Sequence, residues 1–248
     1  MDRPDICKKF LHPKMKILDC GGWQGNNFSY GYIPHTVLDL FPCNDKNIRD
    51  WIVGDACNPL TWKNVKDNTF DFSICSHMLE DCYDPFIVMN QLSRVSKAGY
   101  IEVPRAWIET TKWIVYKSKN IKGYAHHIWM VDVFTPSELD NVMTINPHIT
   151  KKGEKYIKNN CNYVLSFYPK MILNHHEILH YNFINPIKSF FYKRKFGKKL
   201  DTVSVFWENQ IPFTCIWWGS SHEEAKMFWK NYHKNFNYKS LPDYYHLY

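Results

Sequence analysis

In MKILDCGGWQGNNF, Met15 to Phe28, a short apolar run ends on Asp19 and enters a cluster of glycines. A run of that length, bounded by glycine, reads as a buried strand of a parallel sheet. Gly21, Gly22 and Gly25 let the backbone turn sharply and approach a ligand closely. Everything downstream in the first hundred residues is consistent with that start. Apolar runs recur at Thr36–Leu40, Asp50–Gly54, Phe70–Cys75 and Gly99–Val103, after a first strand at Lys16–Cys20. Between the last two, DPFIVMNQLSRVSKAG has Asp84 as N-cap, Pro85 at the first helical position and Gly99 just past the end, which predicts a helix and hence a β-α-β crossover. The expected architecture is α/β, a Rossmann-like doubly wound and mostly parallel sheet.

The first crossover is irregular. NNFSYGYIPH is rich in Asn, Tyr, Gly and Pro, and only about a dozen residues separate the first two strands, so a stunted helix is expected there. Beyond Pro104 aromatic strand-like runs appear: HHIWMVDVF, NYVLSFY and the pair TVSVFWEN and PFTCIWWG. TPSELD carries a capping box in Thr135 and Glu138, and SSHEEAKMFWKNYHKNF is an amphipathic helix with Ala225, Phe228, Trp229, Tyr232 and Phe236 on one face. No internal repeat or low-complexity linker breaks the chain. The expectation is one domain over 1–248, with a cofactor-binding core at about 14–104 and a segment at about 105–248 that completes the sheet and builds the acceptor side.

Composition narrows the class. The chain has 248 residues, 45% hydrophobic and 22% charged, which is that of a folded globule, and 17% aromatic, which suits a Trp- and Tyr-lined groove. No apolar run approaches the ~18 residues of a spanning helix, and MDRPDICKKFLHPK lacks the apolar segment of a signal peptide. A cytoplasmic, reducing location is expected. The eight cysteines agree, being scattered without CxxC spacing and falling, as at Cys20 and Cys75, within expected strands. The net charge of +7 is nearly all lysine, with arginine only at Arg3, Arg49, Arg94, Arg105 and Arg194, which argues against a nucleic-acid partner. One cluster, Lys193 to Lys199, is basic enough to meet an anion or to be a solvated loop.

Four loops at one sheet edge carry the chemistry. Asp19 and its glycines close the first strand, and Asp39, twenty residues on, closes the second, where a carboxylate can take both hydroxyls of a ribose. VGDAC then places Asp55 and Ala56 where an adenine amino group can be read, and Ser76, His77, Met78 and Leu79 follow the fourth strand. Together these form a nucleoside crevice. An NAD-type Rossmann fold is the nearest competitor, but its glycines open a clear helix onto a pyrophosphate, whereas here the helix is poor and Asp19 would face the phosphate.

The ordered segments ILDCGGWQG, VLDLF, GDACNPL, FDFSICSHMLEDCYDP and LSRVSKAGYIEVP resemble the successive motifs of class I S-adenosylmethionine-dependent methyltransferases, from about Lys16 to Pro104. The resemblance implies S-adenosylmethionine as cofactor and S-adenosylhomocysteine as product. It implies that the glycine loop, Asp19 with Gly21, Gly22, Trp23 and Gly25, holds the methionine and ribose portions. It further implies that Asp39, next to Leu40, takes the ribose diol, that Asp55 and Ala56 sit by the adenine, and that Ser76 and His77 line the sulfonium. Two positions depart from the family. Trp23 replaces the middle glycine, and Asp81 stands where many relatives carry histidine.

Methyl transfer is an in-line displacement in which the cofactor carries the reactive carbon, so the protein supplies alignment, desolvation and sometimes a base. For a hydroxyl acceptor the base is expected among His126 and His127 in GYAHHIWMVD, with Glu102 at the end of the fifth strand as a second candidate. The segments SHMLEDCYDP and AHH.W are also similar to methyltransferases of glycan-assembly systems, which implies O-methylation of a sugar or glycan. Other readings stand beside this one. HEILH, His176 to His180, matches the HExxH zinc-peptidase signature with Glu177 as the water-activating carboxylate. A non-catalytic methyltransferase-fold binding protein is suggested by Trp23, and an RNA methyltransferase by Lys193–Lys199. Asp81 and Asp84 with the histidines can gather a Mg²⁺ or Mn²⁺ ion, but carboxylates near a helix start usually cap it, and no metal site is assigned from sequence.

Overall fold

The computed structural model describes residues 9–22, 32–42, 45–106, 108, 124, 126–140, 144–145, 157, 160–169 and 202–216. Trp23 and Gly25, the irregular first crossover, the HEILH segment from His176 to His180, the Lys193–Lys199 cluster and the expected amphipathic helix at 220–236 lie outside the described residues.

The strands are β1 (Ile17–Cys20), β2 (Thr36–Asp39), β3 (Asp50–Val53), β4 (Phe70–Ser76), β5 (Ser96–Pro104), β6 (Trp129–Phe134), β7 (Thr144–Ile145), β8 (Val164–Pro169), β9 (Thr202–Glu208) and β10 (Phe213–Ile216). Among the described residues two helices are long enough to label, α1 (Pro85–Val95) and the single turn α2 (Pro136–Leu139), and Pro59–Trp62 forms a 3-10 turn. One sheet has the order β3-β2-β1-β4-β5-β9. Its first five strands are parallel and β9 closes it antiparallel on β5, with Glu102 opposite Ser204. That is the doubly wound, mostly parallel sheet expected, with strand order reversing between β1 and β4.

Burial explains the sequence patterns. β1 is buried at every position and β4 at all but Asp71, as continuous apolar runs in a sheet covered on both faces require. β3 lies at the edge, with none of its residues fully buried. In β9 Val203, Val205 and Trp207 are buried while Thr202, Ser204 and Phe206 are half-buried, the alternation of a strand with one core face.

Helix α1 starts where the sequence predicts. Asp84 Oδ1 accepts the N–H groups of Phe86 and Ile87 at 3.1 and 3.2 Å, and Pro85 occupies the first helical position. Its end differs from expectation. The helix stops at Val95, Ser96 is already extended and pairs with Phe70, and Gly99 lies inside β5. A Cβ at Gly99 would stand 2.6 Å from the Ser73 carbonyl oxygen and 2.6 Å from Trp207 Cζ2, so this glycine serves close strand and indole packing rather than helix termination.

The C-terminal half also differs. Among the described residues beyond Pro104 only β9 joins the first sheet; β6, β8, β10 and β7 form a second, four-stranded sheet in that order. The two runs read as a pair, TVSVFWEN and PFTCIWWG, therefore part company: β9 joins β5 and β10 lies parallel to β8. Helix α1 lies against this second sheet. The Phe86 ring packs on Trp129, Phe167 and Phe213 with centroids 5.4, 5.5 and 5.6 Å away, and one continuous buried cluster includes side chains from both sheets. The six described cysteines are free, five of them buried. Among the described residues no helix is long and apolar enough to cross a membrane.

Candidate functional site

The loops after β1 and β4 meet at the point where strand order reverses. Gly21 has φ +78°, a left-handed conformation suited to glycine, and its N–H donates to the Leu38 carbonyl at 2.8 Å. A Cβ on Gly21 would meet Met78 Sδ at 2.6 Å, and one on Gly22 would meet Asp19 Cγ at 3.0 Å. Asp19 is fully buried and its Oδ2 accepts from the Tyr32 hydroxyl at 3.2 Å. Gly21 is thus held by its left-handed backbone with Met78 close by, and Gly22 by the crowding of Asp19 and Val37.

Along the same edge, half-buried Asp39 accepts the Phe41 N–H at 3.1 Å. Leu40 and Phe41 beside it are 46% and 47% exposed, unusual for large apolar side chains, and with Val53 at the end of β3 they give this edge an apolar surface. Asp55 Oδ1 accepts the Cys57 N–H at 2.8 Å, while its Oδ2 is buried with no hydrogen-bond partner among the described residues. Burial pushes the Asp55 carboxyl up, against the lowering effect of its bond from Cys57. Ala56 is buried and its carbonyl accepts the Trp62 indole N–H at 2.8 Å, which anchors the loop. A diol-sized acceptor, an exposed apolar surface and a carboxylate oxygen lacking a donor are features that fit a nucleoside.

At the end of β4, His77 takes φ 52°, rare for a residue with a Cβ and costing about 1–3 kcal/mol. Its surroundings hold it there. The His77 N–H donates to the Glu102 carbonyl at 2.8 Å, Nε2 lies 3.2 Å from Glu102 Oε1, and Nδ1 lies 3.5 Å from Glu80 Oε1. Burial works against charge on the ring, but the bonds to Glu102 and Glu80 outweigh it and raise its pKa to about 9. Glu102 also accepts from the Tyr100 hydroxyl at 2.5 Å and from Ser76 Oγ at 3.3 Å, and the Tyr100 oxygen stands 3.0 Å from Ser204 Oγ. His77 is therefore an imidazolium at neutral pH, half-exposed at the crevice.

A second cluster begins one residue after Glu80. Asp81 Oδ1 lies 4.0 Å from His126 Nε2 and 3.9 Å from His127 Nε2. His127 is buried and His126 half-exposed. The pairing is built by the backbone: the N–H groups of Ile128 and Trp129 both point at the Glu80 carbonyl, at 2.8 and 3.0 Å, and the Trp129 indole donates to the Cys82 carbonyl at 2.7 Å. Tyr124 packs over His127 with ring centroids 4.5 Å apart.

The described residues of the nucleoside set thus fall along one edge, while the candidate bases divide. Glu102 joins Ser76 and His77; His126 and His127 join Asp81. Sequence reading missed Glu80, Tyr100 and Ser204. Tyr100 was findable, since it shares a face of β5 with Glu102 two residues on. Ser204 was not, because its place opposite Glu102 depends on a pairing across a hundred residues.

No family model and no curated protein matches the chain. Among solved structures, similarity extends to the PH0226 protein of Pyrococcus horikoshii, at 21% identity over 41% of this chain and 54% of that one with a TM-score of 0.31. It extends also to an arsenic(III) S-adenosylmethionine methyltransferase of Chlamydomonas reinhardtii, at 17% identity over 37% of this chain and 39% of that one with a TM-score of 0.31. A SAM-dependent methyltransferase of Aquifex aeolicus is 18% identical over 42% of this chain and 65% of its own, with a TM-score of 0.32. The chain therefore spans less than two thirds of each, and TM-scores this low leave the fold assignment to strand order and register.

Proposed function

We propose that the protein is an S-adenosylmethionine-dependent methyltransferase acting on a hydroxyl, with a sugar or glycan as the acceptor class. The observation that carries the reading is the row of groups along the edge where strand order reverses: Asp19, Asp39, Asp55 and the Ser76–His77 turn, beside exposed Leu40 and Phe41. When bound, S-adenosylmethionine supplies an electrophilic methyl group. Asp39 would hold the ribose hydroxyls, Asp55 would accept from the adenine amino group, and Leu40 would cover the purine face. An imidazolium flanked by the carboxylates of Glu80 and Glu102 is a net anionic group, which suits a neighbouring sulfonium. A protonated His77 is a poor base, and Glu102 is occupied by three donors, so the acceptor proton would leave toward His126, His127 and Asp81. The flat faces of an aromatic-rich chain support a sugar acceptor.

The test is calorimetric titration with S-adenosylmethionine and S-adenosylhomocysteine, on the wild type and on Asp39→Ala. Micromolar binding weakened at least tenfold in the variant is expected; no binding of either ligand would overturn the reading. Labelled methyl transfer to free sugars and glycans, compared with RNA and protein acceptors, then tests the acceptor class.

A further inference from the structure

We infer that Asp81, His126 and His127 form a binding site for a divalent first-row transition metal, zinc foremost. Three side chains from two separate segments each offer one ligand atom, and these atoms lie within 4.8 Å of one another. Ligands around one zinc ion stand about 3.3 Å apart when each bond is near 2.0–2.1 Å. Asp81 Oδ1 is 3.9 Å from one imidazole and 4.0 Å from the other, so each of these two pairs closes on an ion with a shift of about half an ångström. Asp81 and His126 are partly exposed, which leaves their side chains room to turn, while buried His127 fixes the position.

The backbone makes this a built arrangement. Residues on both sides of Asp81 are tied down, Glu80 by two N–H groups from the start of β6 and Cys82 by the Trp129 indole. The same contacts set the chain just before β6, which carries both histidines. Adjacent imidazoles 4.5 Å apart at 86° present their edges in different directions, as two ligands of one ion do.

The donor set selects the ion. Two imidazole nitrogens and one carboxylate oxygen suit zinc and its neighbours, whereas Mg²⁺ and Ca²⁺ favour sites built of oxygens. Three protein ligands leave a fourth coordination position for water or a substrate hydroxyl, whose proton the ion would make easier to remove. Metal binding by this cluster does not require the methyl-transfer reading; if both hold, the three side chains bind the ion instead of taking the proton, and the ion would acidify the acceptor hydroxyl so that its proton leaves to solvent.

The experiment uses the full chain, stripped with a chelator and titrated with Zn²⁺ against a chromophoric competitor, and with Co²⁺ followed by its visible absorption. The expected result is one equivalent, without cobalt-thiolate bands, bound at least tenfold more weakly by Asp81→Asn and by His126→Ala, and insensitive to millimolar Mg²⁺. Circular dichroism establishes that each variant folds, and half-exposed His126 provides the change least able to disturb the core. Unchanged affinity in both folded variants would overturn the inference, as would loss of binding in His176→Ala with retention in Asp81→Asn. S-adenosylhomocysteine titration on the stripped chain separates the two readings. A chain that binds the nucleoside but takes no metal refutes only the metal site; one that takes zinc but no nucleoside refutes only the methyltransferase.

Discussion

His77 shows how one side chain is set by two charges, one three residues on and one brought in from a neighbouring strand. Its left-handed backbone aims the ring between Glu102 and Glu80, whose carboxylates raise its pKa from 6.5 to about 9. Because the folded pKa is the higher one, the stabilising contribution is fully present below pH 6.5 and is lost as pH rises through about 9. The imidazole resonances of His77 should therefore titrate near pH 9 by NMR, and in Glu102→Gln the midpoint should fall. A midpoint in the ordinary histidine range in the wild type would remove the imidazolium from the site. Gly21 poses a different question, strain against clash. The atom nearest an added Cβ is the Sδ of a flexible methionine, which can turn aside, whereas φ +78° cannot relax without moving the loop. Gly21→Ala should cost about 1–2 kcal/mol from backbone conformation alone. Urea melts in a Met78→Ala background test this: most of the loss should persist there, and its disappearance would assign the cost to the clash.

Gly99 answers that same question the other way. Its φ is unremarkable, but the atoms an added Cβ would meet are the Ser73 carbonyl and the buried Trp207 ring, neither of which can easily yield. Gly99→Ala should destabilise by about 1–3 kcal/mol, read from the shift in urea midpoint, and a Trp207→Leu background should recover only part of it. The misreading of this glycine shows what the sequence carries. Unbroken apolar runs and the Asp84-Pro85 start made the parallel strands and α1 legible, because buried strands and helix caps depend on residues close in the chain. The end of α1 was not legible, since it is set by Ser96 pairing with Phe70 rather than by a local stop signal. The second sheet was hidden for the same reason. The runs VLSFYP and FTCI look like strands by themselves, but nothing in them states that they pair with each other and that β9 does not join them. The placement of Asp19, Asp39, Asp55 and Ser76 at or just past the ends of strands was legible, because each follows a short apolar run. Asp81 was visible as a departure and as one of several carboxylates able to join the histidines around an ion, but its meeting with His126 and His127 depends on contacts between the start of β6 and the loop after β4.

Those contacts make the assembled molecule, and no one sheet, the thing that builds the candidate site. The first sheet supplies the edge proposed for the nucleoside and the loop bearing Glu80 and Asp81; the second supplies Trp129, and just before it the two histidines. Trp129 is the joint. It is 1% exposed, packs edge-on against Phe86 of α1, and donates its indole N–H to the Cys82 carbonyl at 2.7 Å. Trp129→Phe keeps an aromatic ring in the core but leaves that carbonyl without its donor, which should cost about 1–3 kcal/mol. The loss should not be confined to stability. With Cys82 released, the loop that positions Asp81 is held on one side only, so NMR signals of His126 and His127 should shift and broaden in the folded variant. Affinity for S-adenosylhomocysteine should stay within about twofold of the wild type, because β6 meets the first sheet at β5 and β9, whereas Asp39 ends β2 and Asp55 follows β3. Equal weakening of nucleoside affinity would mean that the two sheets respond as one body and that the division of labour drawn from the contacts is wrong.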